Sequence, residues 1–377
     1  MKKIAIIGAG ISGLYLANLL EKESTFEYKI YERKKELNFE EGYGIQLSVN
    51  GVKLLNKIGF KNINGFELSF PKKVNFFEAN NNNKICEIDI QKFNDEDNRY
   101  TTLKRSTLIK FLLNQIPSEK ISYNIELKKI VNKKKIDVYF SNNLEESFDY
   151  VVVSDGIFSK TKSIICEKEI KPNFFNSIAL RGKVKNYKNT DISIFMGPNF
   201  HFVIYPMNQN NEYNFILIIE KKLNRIQLDD KKLFESNDFL NSLINEINQK
   251  TFLNLAENIE YIKAFPIFVS EKLDLINRKN IFLSGDALFA SPPSFAQGAS
   301  QSIESANSIL EDIKNNDNKY YINSLKRLKI VNSRSKLNHF AFHLTNPMSI
   351  FVRNNILKYL CKNKSFLETY LGKIYRN

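Results

Sequence analysis

The chain of 377 residues is 43% hydrophobic and 25% charged, a composition that excludes a disordered or fibrous protein and supplies ample material for a core. Its formal charge of +14 comes from scattered lysines without any RNA-binding module, so nucleic acid is not an expected partner, and attraction of acidic substrates or nucleotide phosphates is a modest consequence. No apolar run approaches the ~20 residues of a spanning helix; Cys86, Cys166 and Cys361 fit neither a metal spacing nor a disulfide framework, and a total of three histidines argues against a His-based metal site.

The chain opens on Ile4–Ile7, a short apolar run suited to a buried parallel strand. It passes straight into a glycine turn rather than a signal peptide, and a cytoplasmic location is expected. Leu14, Leu16, Ala17, Leu19 and Leu20 predict a helix to about Glu23, and Tyr28–Tyr31 a second strand, completing a βαβ opening. A glycine-flanked segment, Gly42-Tyr43-Gly44-Ile45-Gln46-Leu47, precedes a helix start at Asn50–Leu55. Residues 70–100 read as strands around a polar tip at Asn80–Asn83, and Ser106–Leu113 as a helix capped by Ser106. Phe148–Val153 reads as one buried strand ending at Asp155-Gly156. Residues 176–220 alternate in strand fashion, notably His201–Tyr205 and Tyr213–Ile219. Residues 229–254 read as mostly helical, and Ile281–Leu283 as a further parallel-type strand ending at Gly285-Asp286. Ser300–Ile313, residues 317–345 and the tail 346–374 read as helices, the last apolar among basic residues.

Gly8, Gly10 and Gly13 lie between strand and helix. Gly8 permits the tight turn, Gly10 lets backbone approach a pyrophosphate, and Gly13 allows close helix–strand packing. The phosphate then meets free N–H groups at the positive helix end. Glu32 follows Gly13 by 19 residues, where an acid takes a ribose hydroxyl pair. A second set of residues, Ser284-Gly285-Asp286-Ala287 through Pro293 to Gln297-Gly298-Ala299-Ser300, stands roughly 270 residues downstream. With Ser154-Asp155-Gly156 between them, the two sets read as one FAD site, gripped along its length. Asp286 ends a strand and is placed to accept bonds from ribityl hydroxyls. The helix begun by Gly298, Ala299 and Ser300 offers N–H groups to the flavin edge that becomes negative on reduction. Pro293 shapes the wall without an N–H.

These motifs resemble, over nearly the whole length, the single-component FAD-dependent aromatic hydroxylases, the group of salicylate and hydroxybenzoate monooxygenases. Tyr31-Glu32-Arg33, Gly44-Ile45, Leu47 and Asn50-Gly51 resemble the family's stretch from ribose acid to substrate loop. Arg105 resembles its flavin-contacting arginine, and Asp155-Gly156 with Ser159 its shared FAD/NAD(P)H motif, in which Lys162 stands for the usual Arg. Phe289 stands where the family commonly has His. The resemblance implies an α/β fold: a Rossmann-like FAD-binding domain (1–70, 101–175, 268–330) interleaved with a sheet-rich substrate domain (71–100, 176–267), plus C-terminal helices (331–377). It further implies NADH or NADPH as co-substrate, molecular oxygen, and hydroxylation of a small aromatic (phenolic or quinone-precursor) substrate through a flavin C4a-hydroperoxide.

His201 and Tyr205, i and i+4 on one strand, share a face and are the candidate acid/base or orienting pair. Packing within a core is the competing reading of both. Gln46 is a further substrate-side candidate, and Arg181 reads as a sheet-edge arginine rather than a carboxylate clamp. Two other functions stay open: an FAD-dependent reductase of an isoprenoid-type substrate and a non-catalytic flavoprotein scaffold. The absence of Trp argues against a flavin halogenase. For the tail 346–374, packing onto the body is favoured over weak peripheral contact with a membrane.

Overall fold

A computed structural model describes all residues except 38, 40–42, 186, 273–277 and 377. The opening apolar run is the middle strand, Lys2–Ile7, of a five-stranded parallel sheet. Across it the order is Ile281–Leu283, Tyr150–Val153, Lys2–Ile7, Phe26–Glu32 and Ile121–Tyr123. Ile7 stands opposite both Val153 and Tyr31, and Val153 opposite Leu283. The strand ends therefore align, and Gly8, Glu32, Ser154 and Ser284 all emerge along one edge of the sheet, where ligands bind in open α/β folds. The first helix, Ile11–Glu21, is buried from Ser12 to Leu20. It packs against the sheet and against a second helix, Gly298–Asn315.

A second sheet has seven strands, in the order Ile259–Val269, Asn173–Val184, Tyr213–Glu220, Phe200–Pro206, Ile192–Gly197, Lys73–Glu78 and Lys84–Asp89. All pairs are antiparallel except Ile192–Gly197 with Lys73–Glu78. Period-two alternation divides its faces. Phe200, Phe202, Ile204, Phe215 and Leu217 join a core beneath the helix Asn237–Asn248. Their neighbours His201, Val203, Tyr205, Ile216 and Ile218 line a large cavity instead.

A long helix, Tyr320–Phe342, and an apolar helix, Pro347–Leu360, close the chain together with short turns of helix from Lys364 to Tyr375. The apolar helix packs Leu357 against the strand Lys84–Asp89, lines the mouth of the cavity with Met348, Val352 and Ile356, and leaves Phe351 and Tyr359 on the outside. Met348, Phe351, Val352, Ile356 and Tyr359 are all exposed, whereas Arg353 is buried and donates to the Ala341 carbonyl at 3.1 Å. The packing expected for the tail holds for one face only.

Three local expectations are corrected. The run Phe148–Val153 is divided at Asp149: Glu145–Phe148 pairs in a three-stranded meander, and only Tyr150–Val153 enters the parallel sheet. The helix Arg105–Leu113 begins with Lys104 at its N-cap and no side-chain cap, so Ser106 lies inside its first turn. Residues 229–254 break into Arg225–Asp229, a turn at Leu233–Glu235 and Asn237–Asn248. Gly42 lies outside the described residues.

Candidate active site

At the carboxyl edge of the parallel sheet a cleft of about 210 Å³ is lined by Gly8, Gly10, Glu32, Arg33, Arg105, Asp155 and Gly156. Gly8 has φ +105°, and a Cβ there would stand 2.6 Å from the Ser154 carbonyl oxygen. A Cβ on Gly13 would overlap the Gly8 carbonyl oxygen and lie 2.6 Å from Ser154 Oγ, so strand and helix touch through backbone alone. Gly10 is different: its Cβ would have no neighbour nearer than 3.9 Å and would project into open space. The Glu32 carboxylate is held by the N–H groups of Ala9 and Lys34, both at 2.9 Å. Arg33 is exposed beside it. Asp155 Oδ1 is a buried acceptor with no donor among the described residues, and burial pushes the carboxyl above its ordinary pKa. Ser159 caps the following helix by accepting from Lys162 N–H at 2.9 Å, and the buried Lys162 reaches the Leu288 carbonyl at 3.4 Å.

The two glycine turns are joined directly. Ser12 Oγ and Ser284 Oγ lie 2.5 Å apart across 272 residues, and Ser284 Oγ bonds Ser305 Oγ at 3.1 Å. Gly285, at φ +58°, takes the left-handed conformation that aims Asp286 into the cavity. There Asp286 keeps open surface, yet lies so deep among protein groups that desolvation pushes its pKa up to about 6, against the pull of the Arg105 guanidinium. Phe289 lines the same wall, its N–H bonded to the Gly285 carbonyl at 3.0 Å. Pro293, Gly298 and Ala299 line it too. Ser300 does not: its Oγ turns away to accept from Ser48 N–H at 3.2 Å and bond Ser48 Oγ at 3.0 Å. Ser300 therefore clamps the helix Gly298–Asn315 to its neighbour Val49–Asn56.

The cavity measures about 1780 Å³, more than one small ligand requires. Opposite Asp286 stand His201, Tyr205, Gln46 and Arg181. Tyr205 is fully buried, which drives its phenol well above the ordinary range, while Arg181 and a bond to Gln46 oppose the shift. Tyr100 OH donates to Gln46 Oε1 at 2.7 Å. Gly44 lets this cluster close, since a Cβ there would stand 2.8 Å from the Tyr205 ring. Arg181 is not on a sheet edge. Its strand is flanked on both sides by Ile259–Val269 and Tyr213–Glu220, and its guanidinium lies over the Tyr43 ring at 5.5 Å.

His201 has a partner invisible to the local pattern: its Nδ1 is 2.6 Å from His343 Nε2. His343 Nδ1 is 3.0 Å from Glu220 Oε1, and His339 Nε2 is 3.6 Å from the same oxygen. Scarcity of histidine has not kept the three apart, and Glu220, His339 and His343 bring possible ligand atoms within 4.8 Å of one another. The i, i+4 spacing of His339 and His343 is the signal by which the sequence reading, which passed over this pair, could have found it. Cys86 and Cys361, distant in the chain, also meet, with Sγ atoms 3.0 Å apart.

No family model matches the chain. In sequence it is 22% identical over 315 residues to 6-hydroxynicotinate 3-monooxygenase of Pseudomonas fluorescens, with 80% of each chain covered. In structure it is similar to a variant of HpxO from Klebsiella pneumoniae complexed with FAD, at TM-score 0.82 and 16% identity, covering 95% of each chain. It is also similar to a salicylate hydroxylase in complex with substrate, at TM-score 0.77 and 16% identity, covering 100% of this chain and 95% of that one.

Proposed function

We propose that this chain, a homologue of FAD-dependent monooxygenases that carries the fold of the aromatic hydroxylases, uses FAD, NADH or NADPH and molecular oxygen to hydroxylate a small aromatic or heteroaromatic substrate. One observation carries the reading. The glycine turn, Glu32, Asp155 and Asp286 converge along one sheet edge, stitched by the Ser12–Ser284 bond, and open into a cavity walled by the second sheet.

The residues present fit FAD. Gly10 leaves room for a pyrophosphate, the buried Asp155 Oδ1 lacks a donor that a ligand hydroxyl would supply, and Asp286 offers a carboxylate for ribityl hydroxyls. Glu32, already fixed by two backbone donors, has acceptor capacity left for a ribose. Arg105 sits where it meets the cofactor and Asp286 together. Bound FAD supplies electron transfer from NAD(P)H and activation of oxygen. The apolar faces of Val203, Ile216, Ile218 and Phe289 exclude water, Tyr205 and Gln46 orient the ring, and Arg181 attracts an acidic substituent. Phe289 in the position of a common histidine moves any proton transfer to the opposite wall. In this reading the parallel sheet holds the cofactor and the seven-stranded sheet the substrate.

The purified protein is expected to be yellow, with about one FAD per chain, and to consume NAD(P)H and oxygen faster with substrate. A colourless protein that takes up no FAD overturns the reading, and NAD(P)H oxidation without oxygen uptake replaces it with a reductase.

The outward face of the apolar helix supports peripheral contact with an anionic bilayer. From Asn318 to Leu367 the chain has ten Lys and Arg and no Asp or Glu, and Lys358, Lys362 and Lys364, exposed at the Tyr359 end of the apolar helix, offer charge to acidic headgroups. No helix among the described residues is long and apolar enough to cross a membrane.

A further inference from the structure

All three histidines of the chain meet at the far wall of the cavity, His201 lining it and His339 and His343 behind it, and the bonds among them have a direction. His201 lines the cavity on the strand Phe200–Pro206 and is 1% exposed. Its Nδ1 faces His343 Nε2 at 2.6 Å, and His343 Nδ1 faces Glu220 Oε1 at 3.0 Å. Glu220 ends the adjacent strand and keeps 43% of its side chain in solvent. Both ring nitrogens of His343 are therefore engaged, and the chain of bonds runs from cavity to surface.

An ionised carboxylate only accepts hydrogen bonds. His343 must then carry its proton on Nδ1, which makes its Nε2 an acceptor. His201 must donate from Nδ1, which leaves its Nε2 as a lone pair. The surface carboxylate thus sets the tautomer of an imidazole it does not touch.

We propose that His201, His343 and Glu220 form a proton relay that takes the hydroxyl proton of a phenolic or hydroxy-heteroaromatic substrate out of the cavity; this rests on the hydroxylation reading above. The substrate O–H bond breaks as a bond forms to His201 Nε2. The Nδ1 proton of His201 passes to His343 Nε2, and the Nδ1 proton of His343 passes to Glu220, which gives it to water. No electrons leave, and the ring is left as an electron-rich phenolate. The reverse passage reprotonates the hydroxylated product and restores the starting tautomers. His201 is the candidate catalytic residue; His343 and Glu220 act through it.

The surroundings favour passage over storage. Burial, with the His339 ring adding to it, pushes His201 down to about 3 and His343 still lower. A resting imidazolium is disfavoured at either ring. Burial pushes the Glu220 carboxyl upward, which improves it as the terminal acceptor. His339, held down to about 4 by burial, stands beside the line with Nδ1 3.4 Å from Ser294 Oγ and its Nε2 toward Glu220. Phe342 and Phe175 pack on the rings.

Two measurements on the FAD-loaded protein test this without turnover. Nitrogen NMR of the histidines is expected to show His201 and His343 as Nδ1–H tautomers at neutral pH; Nε2–H on His343 overturns the relay. Stopped-flow mixing with para-fluorophenol in weak buffer with a pH indicator is expected to release a proton, with fluorine NMR showing the bound probe as phenolate. Glu220→Gln keeps an acceptor for His343 but cannot take its proton, and is expected to slow that release about a hundredfold with FAD absorbance and probe affinity unchanged. An unaltered release rate in Glu220→Gln, or a probe bound as the neutral phenol, overturns the relay. Stoichiometric zinc binding that disappears in His339→Ala overturns it too, making the cluster a metal site. Failure of the hydroxylase reading shows separately, as protein without flavin colour.

Discussion

Alanine at Gly13 and alanine at Gly10 should separate packing from ligand approach within one turn. At Gly13 the added Cβ overlaps a backbone carbonyl and comes within 2.6 Å of Ser154 Oγ. Backbone on the facing side cannot swing away, so the join between the first helix and the sheet must open. Overpacking of this kind costs about 1–3 kcal/mol. Gly10 has φ −83° and ψ −174°, open to any residue, and its Cβ would meet nothing within 3.9 Å. FAD-free Gly10→Ala should match its parent or exceed it by about 0.5 kcal/mol, through a less flexible unfolded chain. Its loss falls on binding, because the methyl stands where a phosphate meets the helix N-terminus. Losing one hydrogen bond to a charged group costs about 1.5–3 kcal/mol, which weakens FAD affinity roughly 10- to 150-fold. Denaturant unfolding of the FAD-free proteins and titration by flavin fluorescence measure the two quantities. If Gly10→Ala unfolds as easily as Gly13→Ala, or binds FAD like the parent, the division of roles is wrong.

Asp286, raised to about 6, binds its proton more tightly folded than unfolded, so its contribution to FAD-free stability is full below about pH 4 and lost as pH rises through 6. Thermal melts across that window should show the parent falling relative to Asp286→Asn; parallel curves would refute the assignment. Replacing Phe351 and Tyr359 with Glu should abolish salt-sensitive flotation with vesicles of anionic lipid, without loss of FAD. Flotation unchanged by those substitutions, or a dimer of the parent on size exclusion that they dissolve, would exclude the bilayer as the occupant. Mild oxidation should join Cys86 to Cys361, seen as one cross-linked peptide pair by mass spectrometry and absent in Cys86→Ser; labelling of both thiols after oxidation would count against it.

The glycine turn at the sheet edge was legible because its signals are local: a strand, three glycines and an acid in register specify a turn whatever the rest of the chain does. Glu32 and Asp286 follow from the same logic, each ending a short apolar run. What escaped depends on contacts between distant segments. Arg181 looked like an edge residue because nothing near it shows that Ile259–Val269 will cover its strand. For Ser300 the sequence speaks only to the N–H groups of a helix start; that its hydroxyl turns to Ser48, 252 residues away, depends on tertiary contact. That His201 and Tyr205 share a strand face follows from their spacing, but the partners of His201 come from the end of another helix and the end of the neighbouring strand. Cys86 and Cys361 were too far apart in the chain for spacing to speak. The tail's helices were readable from composition, whereas the outward turn of their apolar side was not.

The parallel sheet also sets a schedule for the nascent chain. Lys2–Ile7 gains one neighbour when Phe26–Glu32 is made, and the other only with Tyr150–Val153. At ribosomal speeds of roughly 5–20 residues per second, that second edge waits on the order of ten seconds. Throughout that interval Ile4, Ala5 and Ile6 present an unpaired apolar strand, the kind of surface that recruits foreign strands. The wait falls before the cleft at the sheet edge gains Asp155 and Gly156, so yield in a foreign host should respond to translation rate and to chaperones acting on this stretch, even where the finished enzyme is stable.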